Sequence, residues 1–137
     1  MSSKEFVWPV RVYYEDTDAG GVVYYANYLK FMERARSEWL RHLGFEQDRL
    51  AREDCIVFAV RQVSVDYLKP ARFNELLRVS VRIEERGQAS LRFLQSVFNE
   101  AGEALCTGRV RIACLDTVSF RPRPIPDAIR AELEHVC

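Results

Sequence analysis

Apolar and polar positions alternate along VRVYYE, from Val10 to Glu15, with the two-residue period of a half-buried strand. Pro9, just ahead, suits the beginning or the edge of such a strand. The acidic stretch EDTDAGGVVYYANY follows, from Glu15 to Tyr28, and Gly20-Gly21 marks a turn within it. The period then changes. Tyr28, Phe31, Met32, Ala35, Trp39, Leu40 and Leu43 recur at three- and four-residue spacing, and Lys30, Glu33, Arg34, Arg36, Glu38 and Arg41 fill the other positions. This predicts a long amphipathic helix lying on a large apolar surface. Arg34 and Glu38 are spaced to pair across one turn, and Gly44 supplies the stop.

After a polar connector, EQDRLARED, four strand-like runs appear. The first, Ile56 to Leu68, is long enough to bend. In LLRVSVRIEE, Leu77, Val79, Val81 and Ile83 are expected inward and Arg78, Ser80, Arg82 and Glu84 outward. The turn RGQ leads into SLRFLQSVFN, and EAGE leads into ALCTGRVRIACLD; turns this short imply antiparallel neighbours. RPRPIP is a proline-rich connector, and DAIRAELEHV reads as a short terminal helix. The order is strand, long helix, four antiparallel strands, small helix. One curved antiparallel sheet of about five strands can cover the apolar face of one long helix, an α+β arrangement. Two folds meet this description, the hotdog fold and a cone-shaped NTF2-like fold. A helix directly after the first strand favours the hotdog.

The 137 residues are expected to form one domain, residues 1–137. Twenty basic residues balance 20 acidic ones, so no global field draws the chain to nucleic acid or an anionic membrane. No apolar run reaches the ~18 residues of a membrane span, and MSSKEF lacks the apolar core of a signal peptide. A cytoplasmic location is the expectation. Cys55, Cys106, Cys114 and Cys137 are scattered without metal-ligand spacing, so they read as buried or incidental thiols, and no metal or other cofactor is expected. Cys106 and Cys114 would share one face of a strand. The two histidines, His42 and His135, lie in charged helical surroundings far from any serine or cysteine cluster. A Ser-His-Asp or Cys-His unit needs an imidazole beside its nucleophile. If the chain is an enzyme, a carboxylate is its expected base. The residues alone leave Asp18 open between that role and an Asx-turn ahead of a helix cap, and they assign Glu15 and Asp16 to turn formation or capping.

VRVYYEDTDAGGVVYYANYLKFMERARSEWLRHLG resembles the N-terminal strand, loop and helix of YbgC-type acyl-CoA thioesterases, hotdog proteins of the superfamily that includes 4-hydroxybenzoyl-CoA thioesterase. VSVDYLKPARFNELLRV is similar to that family's second and third strands around a proline turn, so the resemblance covers roughly residues 10 to 120. It implies hydrolysis of coenzyme A thioesters by a homo-oligomer, typically a dimer of dimers. It places the catalytic carboxylate at Asp18 and a backbone N–H that polarises the thioester carbonyl at Tyr25. YbgC-type members commonly carry histidine at the position of Tyr25, whereas the aryl-CoA branch carries tyrosine there.

Thioester chemistry suits so small a set of groups. The carbonyl is poorly resonance-stabilised, and the leaving thiol has a pKa near ~8.5, so it departs as thiolate with little help from an acid. One ionised carboxylate can attack the carbonyl to give an anhydride, or deprotonate an attacking water. The positive end of the long helix would favour that ionised form and offer N–H groups to the oxyanion. Tyr24, Tyr25 and Tyr28 can wall such a site. Coenzyme A phosphates call for cations at the entrance, where Arg61, Lys69, Arg72, Arg86, Arg121 and Arg123 are available. Arg86, beside the GQAS turn that ends in Ser90, has the best positional match to the family; Arg61, Arg86 and Ser90 are the expected coenzyme contacts. An acyl carrier protein in place of coenzyme A stays open, as does a non-catalytic binding module of the same fold. A cone-shaped isomerase with an aspartate base conflicts with the element order.

Overall fold

The computed structural model of the chain describes residues 5–136. The reading of Cys137, and of the His135 side chain, lies outside what it describes. Five strands form one antiparallel sheet in the order β1-β3-β4-β5-β2, with β1 spanning Phe6–Arg11, β2 Ile56–Tyr67, β3 Leu76–Arg86, β4 Ser90–Phe98 and β5 Ala104–Asp116. The helix α1, Asn27–His42, lies against the inner face. This is the hotdog arrangement: one long helix held in a curved sheet, inserted between the first and second strands.

Strands β3, β4 and β5 bury residues at alternate positions, whereas β2 is buried only at Ile56. Leu77, Val79, Val81 and Ile83 of β3, Leu91, Phe93 and Val97 of β4, and Cys106, Val110, Ile112 and Cys114 of β5 face α1. Tyr28, Phe31, Met32, Ala35, Trp39 and Leu40 meet them from the helix. Gly108 allows the closest approach, since a Cβ there would lie 3.2 Å from the Met32 thioether sulfur and 3.3 Å from the Ser64 carbonyl oxygen. The helix ends as expected at Gly44, whose φ of +103° most residues avoid. β2 bends at a register shift between Val60 and Gln62. The short helix α3, Asp127–Val136, seats Ile129 and Leu133 in the same core.

Four expectations are corrected. The first strand lies earlier than the alternation of VRVYYE suggests: β1 starts at Phe6 and ends at Arg11, and Tyr14–Asp16 form a 3-10 turn. Tyr13 N–H donates to Asp16 Oδ2 at 2.8 Å, and this local bond curls the chain out of the ladder. Pro9 sits inside β1, tolerated because β1 is an edge strand. EQDRLARED is a helical passage, α2 over Gln47–Arg49 and a wide turn over Leu50–Asp54 that buries Leu50. Glu38 pairs with Arg41 at 2.6 Å and not with Arg34, because Arg41 also reaches Glu46.

The fourth correction concerns Ser80, which is 1% exposed although outward by alternation. Ser80 lies inside the sheet, paired with Val7 of β1 on one side, and on the other its hydroxyl accepts the Ser96 N–H of β4 at 2.9 Å. Behind it, on the inner face, lies Gln95, fully buried. Its carboxamide donates to the carbonyls of Met32 (3.1 Å) and Ser80 (3.3 Å) and accepts from the Arg36 guanidinium (2.9 Å). The core therefore carries a polar bridge between α1 and the sheet. Both neighbouring strand thiols are shifted by burial, Cys106 up to about 12 and Cys114 upward, which keeps them protonated and poor nucleophiles. They share the inner face as expected, and Cys55 is exposed in a left-handed turn.

Candidate active site

The acidic loop is built from its own backbone. Asp18 N–H donates to the Val22 carbonyl at 2.9 Å and Gly21 N–H to the Asp18 carbonyl at 3.0 Å, closing a tight turn. Gly21 has φ +79°, and a Cβ on Gly20 would lie 3.3 Å from Asp18 Oδ1, so this glycine pair fits the turn better than bulkier residues. Thr17 and Val23 bridge across the loop, and Val23 N–H reaches the Ala71 carbonyl at 2.9 Å, tying the loop to the segment before β3.

Asp16 joins the loop to the helix. Its carbonyl accepts Tyr24 N–H at 3.0 Å and the Asn27 side-chain amide at 2.9 Å, while its carboxylate holds Tyr13. Asp16 is therefore a structural residue, as its sequence context suggested. Asp18 is exposed. Its Oδ1 accepts the Gly20 N–H at 2.8 Å, and among the described residues its Oδ2 has no hydrogen-bond partner. The carboxylate is thus oriented through one oxygen and open through the other.

Tyr25 follows at the threshold of α1. Among the described residues its N–H meets no acceptor, while its carbonyl takes the Tyr67 hydroxyl at 3.0 Å. The ring of Tyr25 meets those of Tyr24 at 4.8 Å and Tyr67 at 6.1 Å, and Tyr67 meets Tyr28 at 5.5 Å. Tyr28 is buried, and its hydroxyl accepts the Ala71 N–H at 3.0 Å. Burial raises the phenol pKa of both Tyr28 and Tyr67. Tyr28 and Tyr67 therefore stay neutral at physiological pH. The aromatic wall gathered by Tyr24, Tyr25 and Tyr28 is present. Tyr67 and Asn27 were not foreseen; both lie within strand and helix patterns that hide a polar contact.

The expected coenzyme contacts divide. Arg61 and Ser90 share a surface cavity of about 610 Å³ with Gln62, Arg111 and Pro122. Arg86 lies instead in one of about 490 Å³ with Gln88, Arg130 and Glu134. Of the other cations, Lys69 is ion-paired with Glu103, and Arg123 donates to the carbonyls of Asp54 and Cys55 at 3.1 Å. Asp18 and Tyr25 line none of the five cavities described among these residues. On a single chain the acidic loop is an open surface. Among the described residues no cluster of histidine, cysteine and carboxylate side chains could hold a metal ion, and no helix is long and apolar enough to cross a membrane.

Comparison with known proteins agrees with this architecture. The family model described as the thioesterase-like superfamily matches residues 12–133. The acyl-CoA thioester hydrolase YbgC of Escherichia coli O6:H1 is 44% identical over 98% of this chain and 99% of its own. The acyl-CoA thioesterase YbgC of Haemophilus influenzae is 40% identical over 99% of both chains. Among solved structures, a probable thioesterase from Bartonella henselae matches with a TM-score of 0.86 at 35% identity, covering 90% of this chain and 100% of that one. The chain belongs to the thioesterase-like superfamily, in its branch of YbgC-type acyl-CoA thioesterases.

Proposed function

We propose that this chain hydrolyses acyl-CoA thioesters to a free acid and coenzyme A, with Asp18 as nucleophile or general base and the Tyr25 N–H as oxyanion donor. The observation that carries the proposal is the arrangement of the acidic loop: a carboxylate oriented by Gly20 and tied through Asp16 to a helix start, with neither Asp18 Oδ2 nor the Tyr25 N–H hydrogen-bonded among the described residues. The Tyr67 hydroxyl, by holding the Tyr25 carbonyl, keeps this stretch of backbone in place. Arg61 and Ser90, in one cavity, are proposed contacts for coenzyme A phosphates, with Arg86 a separate one.

The leaving group provides the test. A carboxylate without an acid partner expels a thiolate readily and an alkoxide poorly. Free-thiol release from a panel of acyl- and aroyl-CoA thioesters should exceed background for at least one member. The oxygen-ester analogue of that member should be cleaved at least a hundredfold more slowly. Binding of every panel member without release of thiol would make the chain a binding module, and equal cleavage of ester and thioester would reject the mechanism.

The proposal includes a homo-oligomer. β2 is an edge strand of 12 residues, and Val60, Val63, Tyr67 and Leu68 on or beside it are exposed. A long apolar edge left open invites strand pairing, and a second copy of the same edge satisfies it. Sedimentation is expected to give at least twice the 16.0 kDa mass of the chain. Val63→Lys should shift the mass toward monomer; a monomeric wild type would contradict this.

A further inference from the structure

On the outer face of the sheet, turned away from α1, Arg92, Arg109 and Arg111 gather with Gln62 and Ser64 around an open cleft of about 160 Å³. The strand register explains the gathering. Arg92 of β4 and Arg111 of β5 stand directly opposite each other, and Gln62 of β2 faces Arg111 from the other side. Arg109, two residues from Arg111 and so on the same face, stands opposite Ser64. Leu91, Phe93, Val110 and Ile112 alternate with these arginines and are buried, so the guanidinium groups point to solvent.

Among the described residues, one of the three is neutralised. Arg109 Nε donates to both carboxylate oxygens of Glu84, at 3.0 and 3.2 Å. Glu85 stands opposite Arg92 in the β3–β4 register, yet among these residues no carboxylate lies within ion-pair distance of Arg92 or Arg111. Like charges directly opposite each other on one face destabilise a sheet. An anion that bridges the two guanidinium groups relieves that repulsion. Each guanidinium offers parallel N–H donors to a pair of oxygens, so the two together match an anion with at least three oxygens and two charges. A phosphate dianion meets that description, whereas a carboxylate has two oxygens and one charge. The Ser64 hydroxyl and the Gln62 carboxamide add neutral donors at the same cleft. Strand pairing at the β2 edge uses backbone groups in the plane of the sheet, so a second copy seated there leaves this face open.

We propose that this outer-face cleft is a phosphate-binding site in which the Arg92 and Arg111 guanidinium groups bridge one dianion. Two sources share this chemistry. The cavity of Arg61 and Ser90 adjoins the cleft and has Gln62 and Arg111 in common with it, so the ribose phosphate of a coenzyme A seated there can supply the dianion. A phosphate that binds by itself can equally supply it. The first source rests on the proposed function, whereas the site does not.

The test titrates inorganic phosphate into the wild-type chain by calorimetry, at a pH where it is a dianion. Binding should saturate, and acetate should bind at least tenfold more weakly. Arg92→Gln and Arg111→Gln should each weaken phosphate at least tenfold. Arg78→Gln, which removes the same charge from an exposed position of β3, should leave phosphate affinity unchanged. Phosphate that does not saturate overturns the proposal, as does acetate of equal affinity or an equal loss in all three variants. Should one of the two cleft variants not fold, the other decides. Coenzyme A and dephospho-coenzyme A then identify the source. A tenfold preference for coenzyme A that Arg92→Gln abolishes, with phosphate displaced, assigns the site to the ribose phosphate of the substrate. Equal binding of the two, with phosphate still bound, assigns it to a separate phosphate. Turnover is not read, so a chain that binds neither coenzyme and still takes up phosphate loses the proposed function and keeps this site.

Discussion

Asp18→Asn is expected to lower kcat for thioester hydrolysis about a thousandfold, within the 10²–10⁴ typical of a positioned acid–base group. Asparagine is nearly isosteric, and its carbonyl oxygen can still accept the Gly20 N–H that orients Asp18 at 2.8 Å. The loop should therefore survive, and the thermal midpoint should stay within a degree or two of wild type. What asparagine lacks is a lone pair basic enough to attack a thioester carbonyl or to take a proton from water. KM should change little, because the lost group acts on the transition state. A variant that keeps activity within tenfold of wild type would reduce Asp18 to an Asx-turn residue.

The second large effect is on stability. Gln95→Ala is expected to cost about 3 kcal/mol, seen in urea unfolding, and to lower the thermal midpoint by about 10 °C. The carboxamide joins three groups: the Arg36 guanidinium and the carbonyls of Met32 and Ser80. Alanine leaves a half-buried cation without its hydrogen bond and opens a void in a core where Phe93 and Val97, on either side along β4, are fully buried. A loss below 1 kcal/mol would show that water replaces the side chain and that the bridge is not a fastening of α1 to the sheet.

Much of the fold was legible because it rests on periodicity. Leu77, Val79, Val81 and Ile83 state their own alternation, and the stripe from Tyr28 to Leu40 states the helix. β1 was harder to place, since FVWPVR holds a proline and its neighbours in VRVYYE alternate nearly as well. Only the local bond from Tyr13 to Asp16 settles where extended chain gives way to a turn. Gln95 was readable in principle, as a polar residue at an inward position between Phe93 and Val97. Its partners come from α1 and β3, distant in sequence, so no local pattern discloses what satisfies it. The acidic loop was legible as chemistry and not as environment: a carboxylate before a glycine turn is visible in sequence, whereas the exposure of Asp18, and a Tyr25 N–H without an acceptor among the described residues, follow from how loop and helix meet.

The central claim is that this chain releases coenzyme A from acyl thioesters through Asp18. Its most direct test is the rate of free-thiol appearance from a panel of acyl- and aroyl-CoA thioesters, with wild type and Asp18→Asn at matched concentrations. The account predicts thiol release by wild type from at least one member and a rate near background in the variant. Release from no member, or release by the variant at the wild-type rate, would contradict it.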